Sequence, residues 1–479
     1  MKKILAILFL SFLLPSNLSA YNYKNNFYFF NQWLFNNGYH QYLDINNPVD
    51  AFDYSICDPD EQFYMPSYCY GSDGKIIKKN DRKINYSNNL NIKAHPNRWG
   101  ILYKSNPSRD TLIYYFYKYT FSHLVGDDNT MQWEQVEIKP SKNPHEFKFN
   151  LIEDKFVKKQ LQKKGILSYL YFQEDQVLID EISPKNRLGD FINNETQLMS
   201  MSLNKSVTSY ILGHAICEGY INGLDSKVDD WSIIKDTLYE KNNLIDLLNM
   251  TSGDQKYLNE FTGKTGFFLN DKNASFEYET NTIKRSVLNF LKGSEKSKAK
   301  YNYNGFVTQL LLNYTVYKTG DDFKKILNKI FQDKVKIKHS VFMGKIRGRV
   351  EHGVYHPMVR MTRFDYLRLA KAIMHDYQND TCVGKYLKEI HKRRVPKNYN
   401  QNKTEPEFNR TKSYGGFFHM DYPGLRDRVV FGFGGYGGNA ILIDLENSRI
   451  VVLNSLHYNN KRFKYSIKKL LLDPIKKGR

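Results

Sequence analysis

Residues 199–220 read MSMSLNKSVTSYILGHAICEGY. Val207, Ile211 and Ala215 recur at i, i+4 and i+8 with Tyr210 beside them, which marks the buried face of a helix. Gly219 ends it. The helix opens on Ser202-Leu203-Asn204-Lys205, and residues three apart in a first turn share one face, so the Lys205 ammonium can lie beside the Ser202 hydroxyl. A serine there also meets the unsatisfied N–H groups and positive end of the helix, which favour a developing oxyanion. The competing reading is an N-cap serine with a surface lysine. Ser-x-x-Lys by itself carries nothing, because it recurs at Ser72/Lys75, Ser232/Lys235, Ser297/Lys300 and Ser466/Lys469. Context sets Ser202/Lys205 apart.

Upstream, Gly165–Phe172 and Val177–Ile182 are apolar runs separated by Gln173-Glu174-Asp175-Gln176, the pattern of an antiparallel hairpin. Downstream, helical patterns cover residues 244–250, 306–317 and 363–377. A second hairpin follows at Ala440–Leu445 and Arg449–Asn454, and then a basic helix to the C-terminus. Strands at both ends with helices between them predict an α/β (α+β) domain over 155–479. It is an antiparallel sheet flanked by helices, with a mostly helical subdomain inserted mid-chain. Residues 21–154 read as an N-terminal extension without a chemical motif, with a strand expected at Thr111–Phe121 from its β-branched and aromatic content.

The 479 residues are 41% apolar and 15% aromatic, with only 14 prolines, which excludes a disordered or fibrous chain and allows more than one domain. Residues 1–20 carry basic Lys2 and Lys3, an apolar run from Ile4 to Leu14, and the small-residue site Leu18-Ser19-Ala20. That is the pattern of a secretory signal peptide cut after Ala20, with a retained anchor as the alternative. The expected product is periplasmic or secreted, without stable membrane insertion. Loss of Lys2 and Lys3 takes the formal charge from +20 to +18. That excess permits weak attraction to an anionic membrane or cell-wall surface. No basic, aromatic-interleaved motif points to nucleic acid. Of the four cysteines, Cys57 and Cys69 flank a short loop and are the expected disulfide, with Cys217 and Cys382 expected to be free thiols. No Cys/His spacing matches a metal site, and no cofactor is expected.

A serine nucleophile needs a base, and a lysine at its ordinary pKa of about 10.4 is protonated at neutral pH unless burial lowers it. A tyrosine O–H can then shuttle the proton between nucleophile and leaving group. Lys300-Tyr301-Asn302-Tyr303-Asn304-Gly305, directly ahead of an apolar helix, offers such a tyrosine. Phe433-Gly434-Gly435-Tyr436-Gly437-Gly438-Asn439 leads into the last hairpin, where glycines let a ligand approach the backbone. A backbone N–H there can complete an oxyanion hole with that of Ser202. No helix follows the run, so a nucleotide loop is disfavoured.

Taken together, these phrases resemble the serine β-lactamase and penicillin-binding-protein superfamily. The closer match is the branch of class C β-lactamases, related esterases and 6-aminohexanoate-dimer hydrolase. Ser202-Leu203-Asn204-Lys205-Ser206 with Glu218-Gly219-Tyr220-Ile221, Leu247-Leu248-Asn249-Met250-Thr251-Ser252-Gly253, Tyr303-Asn304-Gly305 with Gln309-Leu310-Leu311, and Gly435-Tyr436-Gly437-Gly438-Asn439 all carry the likeness. The resemblance implies a β-lactamase/transpeptidase-like fold and an acyl-serine mechanism without metal or cofactor. Ser202 would be the nucleophile and Lys205 and Tyr303 the acid/base pair. The backbone N–H groups of Ser202 and Tyr436 would form the oxyanion hole, with Gly435, Gly305 and Phe433 beside the substrate.

Two departures bear on substrate. The family's Tyr-x-Asn ends here in Gly305, and Phe433-Gly434-Gly435 stands where β-lactamases and DD-peptidases carry Lys-Thr-Gly. The second removes a cation able to pair with a substrate carboxylate. The expectation is therefore a hydrolase of small-molecule esters or linear amides. The alternatives are a peptidoglycan DD-carboxypeptidase, a β-lactamase or a non-catalytic cell-wall-binding homologue.

Overall fold

The structure, a computed structural model, describes residues 133–257, 283–346, 348–397, 411–456 and 464–479, with short strands at 93–94 and 101–102. Residues 1–20, the Thr111–Phe121 run and the Cys57/Cys69 pair lie outside the described residues.

Strand β1 (Trp133–Ile138) and the short β2 (Lys148–Phe149) precede helix α1 (Lys155–Lys163), which Asp154 caps by accepting from the N–H groups of Phe156 and Val157. The first hairpin then forms as read, with β3 (Ile166–Gln173) pairing antiparallel to β4 (Gln176–Ile182). Glu174 and Asp175 both take positive φ at its tip, the twist that two-residue hairpin turns require. A two-residue strand β5 (Leu198–Met199) leads into helix α2 (Leu203–Cys217). Helices α3 (Leu244–Leu248) and α4 (Phe306–Thr319) follow. Strands β6 (Val341–Ile346) and β7 (Tyr355–Met361) precede α5 (Arg363–Gln378) and α6 (Cys382–Lys392). The chain closes with β8 (Val395–Pro396), β9 (Ser413–Gly415), β10 (Phe418–Met420), β11 (Val430–Gly435), β12 (Asn439–Asp444), β13 (Arg449–Ser455) and helix α7 (Asp473–Lys477).

The main sheet has nine strands in the order β8-β9-β10-β11-β12-β13-β3-β4-β2. It is antiparallel except at its edge, where β2 runs parallel to β4. The first and last segments of the domain thus meet at its centre, Val452 opposite Leu170. The strands read as continuous apolar runs because helices cover both faces. Leu170, Phe172, Ile441, Ile443, Ile450 and Val452 enter the core shared with α2 and α5, whereas Tyr169, Tyr171, Leu442, Val451 and Leu453 enter a second core with α1 and the C-terminal helices. Alternate side chains leaving opposite faces explain the split.

A second sheet, β1-β6-β7-β5, was not anticipated. Its strand β1 lies ahead of Lys155, as does β2, so residues 133–149 supply strands to both sheets. Helix α2 departs from the one-faced reading as well. Buried residues include Val207, Ile211 and Ala215 but also Asn204, Lys205, Ser206, Thr208, Ser209 and His214, because α2 is packed on every side.

One cysteine expectation is corrected. Cys217, at the end of α2, and Cys382, at the start of α6, form a disulfide with their Cα atoms 5.8 Å apart. They stand 165 residues apart in sequence. The two thiols meet only because α6 packs alongside α2. There the Tyr386 ring fills the space beside Gly213, and the Tyr386 and Ser209 hydroxyls bond at 2.8 Å. Among the described residues, no helix is long and apolar enough to cross a membrane.

Candidate active site

Ser202 is set in place by the strand before it. The Ser200 N–H donates to the Val359 carbonyl at 2.9 Å, and the Val359 N–H donates back to Ser200 Oγ at 3.1 Å, which pins this turn to β7. Met201 then adopts φ of 46°, a left-handed conformation that a bulky non-glycine residue enters only when its surroundings impose it. Ser202 follows at the head of α2, half-buried, and its side chain caps no backbone N–H. The N-cap reading of its hydroxyl therefore fails. Its Oγ instead accepts a hydrogen bond from Lys205 Nζ at 3.1 Å.

Lys205 is buried, and its Nζ sits 4.5 Å from the centre of the Tyr303 ring. Hydroxyl, amine and tyrosine, separated by about a hundred residues of sequence, share one place. Tyr303 is itself boxed in, stacked on His419 with ring centroids 6.3 Å apart and meeting Tyr414 edge-on at 6.1 Å.

The glycine-rich run packs against the turn that carries Ser202. A Cβ on Gly435 would stand 3.0 Å from the Ser200 carbonyl oxygen and 3.3 Å from Leu203, so only glycine lets the end of β11 approach so closely. Residues 436–438 form the turn from β11 into β12, with Gly437 and Gly438 at positive φ and Asn439 Nδ2 donating to the Tyr436 carbonyl at 2.8 Å. Tyr436, half-buried, heads this turn directly after Gly435. Phe433 is a correction. It is fully buried against Phe418, ring centroids 5.1 Å apart, because the alternation along β11 turns it into the core. Gly305 starts α4 and is half-buried. Neither neighbouring asparagine makes up for the amide missing there, since Asn302 and Asn304 both turn inward to Asp254.

Sequence reasoning missed three groups. Asp254, fully buried, accepts from Asn302 Nδ2 at 2.9 Å, Asn304 Nδ2 at 3.1 Å and the Tyr239 hydroxyl at 3.0 Å. Its burial raises the carboxyl pKa against the pull of these donors. Lys397, buried, approaches His419 Nδ1 at 2.7 Å. His356, on β7, accepts from the Met358 N–H at 3.2 Å through Nδ1. Burial first, then Lys205, lowers the His356 pKa to about 4. A lysine after a proline and histidines inside apolar strands give no sequence signal for any of this. Among the described residues, no group of three His, Cys, Asp or Glu side chains is placed to hold a metal.

No protein-family model and no curated protein matches this sequence. Solved structures do. A candidate 6-aminohexanoate-dimer hydrolase from Bacillus anthracis superposes with a TM-score of 0.52 at 13% identity, covering 76% of this chain and 94% of its own. The chain has the serine β-lactamase/penicillin-binding-protein fold. A D-stereospecific amidohydrolase from Streptomyces sp. (TM-score 0.44, 14% identity, 68% of this chain and 100% of its own) and a class C β-lactamase from Rhodobacter sphaeroides (0.43, 14%, 63% and 92%) are also similar. In this β-lactamase-like fold the expected sheet, flanking helices and mid-chain helical layer are all present.

The buried histidines give a pH prediction. His214, on α2, has its pKa lowered to about 4, chiefly by burial, and His419 lies well below 6.5 through burial and the nearby Lys397 and Lys205. In the unfolded chain both titrate near 6.5. Below that pH the unfolded state takes up protons that the folded state refuses, so their stability contribution, full above 6.5, is lost as pH falls toward 4. Thermal melts are expected to drop steadily across this window; a flat Tm would contradict the assignment.

Proposed function

We propose that this protein is an exported serine hydrolase that cleaves ester or linear amide bonds of small molecules through an acyl-enzyme on Ser202. The observation that carries this reading is the 3.1 Å contact of Lys205 Nζ with Ser202 Oγ, with the Tyr303 ring beside the same amine. Lys205 accepts the hydroxyl proton as Ser202 Oγ attacks the substrate carbonyl. Tyr303 passes a proton to the leaving alcohol or amine, and the roles reverse when water attacks the acyl-serine. The N–H groups of Ser202, at the positive end of α2, and of Tyr436 hold the oxyanion.

The absence of a lysine at Phe433-Gly434-Gly435 supports an uncharged acyl side in place of the carboxylate of a β-lactam or peptide stem. The Cys217–Cys382 disulfide supports export, since such bonds persist in oxidising compartments. Hydrolysis of p-nitrophenyl butyrate and of a chromogenic cephalosporin by the purified protein tests the reading. Turnover of the ester, its loss in Ser202→Ala and little turnover of the cephalosporin are expected. Efficient cephalosporin hydrolysis would replace it with a β-lactamase, and ester turnover unchanged in Ser202→Ala would remove the serine mechanism.

A further inference from the structure

Three loops around Tyr303 are laced together through a single carboxylate. The Gly253 carbonyl accepts from the N–H and the hydroxyl of Ser297, at 2.9 and 2.7 Å, and the Asn302 N–H donates to the Met250 carbonyl at 2.8 Å. The segment 297–304 is thereby laid along 250–254. Within it, the residues on either side of Tyr303 send their amides to the same group. Asn302 Nδ2 reaches Asp254 Oδ1, and Asn304 Nδ2 reaches Asp254 Oδ2. Asn304 Oδ1 meanwhile accepts from the Val307 N–H at 3.0 Å, which joins the arrangement to the first turn of α4. With residues 302 and 304 held on the Asp254 side, the side chain between them is left to face the other way, where Tyr303 meets Lys205. Tyr239 braces the carboxylate from a third direction.

We propose that Asp254 is the positioning residue for Tyr303: it fixes both flanking amides and so aims the phenol at the Ser202/Lys205 pair. This rests on the reading of Tyr303 as an acid/base group. A carboxylate suits the task because it accepts from two amides and a hydroxyl at once, whereas an asparagine of the same shape offers one acceptor oxygen and two donors. A group aimed only approximately transfers protons poorly even when it is present.

The test is a double-mutant cycle on the full-length protein with p-nitrophenyl butyrate, with Tm recorded for every variant. Asp254→Asn is expected to lower kcat by about 30-fold or more while KM stays within about threefold. In a Tyr303→Phe background the same change should cost less than about threefold, because there is no longer a phenol to aim. Its Tm loss should be equal in both backgrounds. If Asp254→Asn does not fold, Asn302→Ala, which removes one of the two flanking amides and leaves Asp254 in place, should give a kcat loss of about tenfold that likewise vanishes with Tyr303→Phe. Equal fold-losses in the two backgrounds would make Asp254 a merely structural carboxylate and overturn the inference alone. A wild-type protein inert toward the ester would overturn the hydrolase reading and the inference with it.

Discussion

Lys205→Met is expected to lower Ser202 acylation, read as ester turnover and as the rate of fluorophosphonate labelling, by about 10³-fold. The hydroxyl needs a proton acceptor within hydrogen-bond reach, and Lys205 Nζ stands 3.1 Å away. Methionine matches the aliphatic stem and leaves no buried polar head without its partner, so the fold should survive the change. Lys205→Arg separates proton transfer from electrostatics. A guanidinium keeps the positive charge but does not give up its proton, so Arg should be as inactive as Met. An arginine variant within about tenfold of wild type would show that the charge alone matters and that another group takes the serine proton.

The second large effect concerns stability. Cys217→Ser should destabilise the protein, because the disulfide to Cys382 closes a loop with a sequence separation of 165. The chain-entropy account gives about 5 kcal/mol for so long a loop, although native-state strain and residual unfolded structure often reduce the gain. For a domain of roughly three hundred residues, that corresponds to a Tm fall of about 5–10 °C. A strong reductant should reproduce the fall in the wild type and leave the Cys217→Ser variant where it is. A Tm shift under about 2 °C in both experiments would mean that the two helices are held by packing alone. Because the disulfide ties the far end of α2, kcat measured well below Tm should be nearly unchanged.

What could be read in the sequence follows from how local each determinant is. The hairpin β3–β4, the start of α2 and the pair β12–β13 are written in runs of six to fifteen neighbouring residues, with Glu174-Asp175 and Gly219 marking the turns, and they formed where expected. Ser202, Lys205 and Tyr303 were found by phrase, and the fold brings them together. The second sheet was missed because β6 pairs with residues some two hundred positions earlier and its own run is broken by Gly344 and Lys345. Cys217 and Cys382 were misread for the same reason, since nothing near either names its partner. The family resemblance puts Phe433 beside the substrate, yet alternation along β11 sends it into the core. Asp254, Lys397 and His419 are ordinary residues until tertiary packing buries them around Tyr303.

The central claim is that Ser202 is the nucleophile. Treating the protein with a fluorophosphonate and mapping the modified peptide by mass spectrometry tests it most directly. A single adduct is predicted on Ser202, lost in Ser202→Ala and formed much more slowly in Lys205→Met and Tyr303→Phe. An adduct on any other side chain, or none on a protein that hydrolyses esters, would contradict the account.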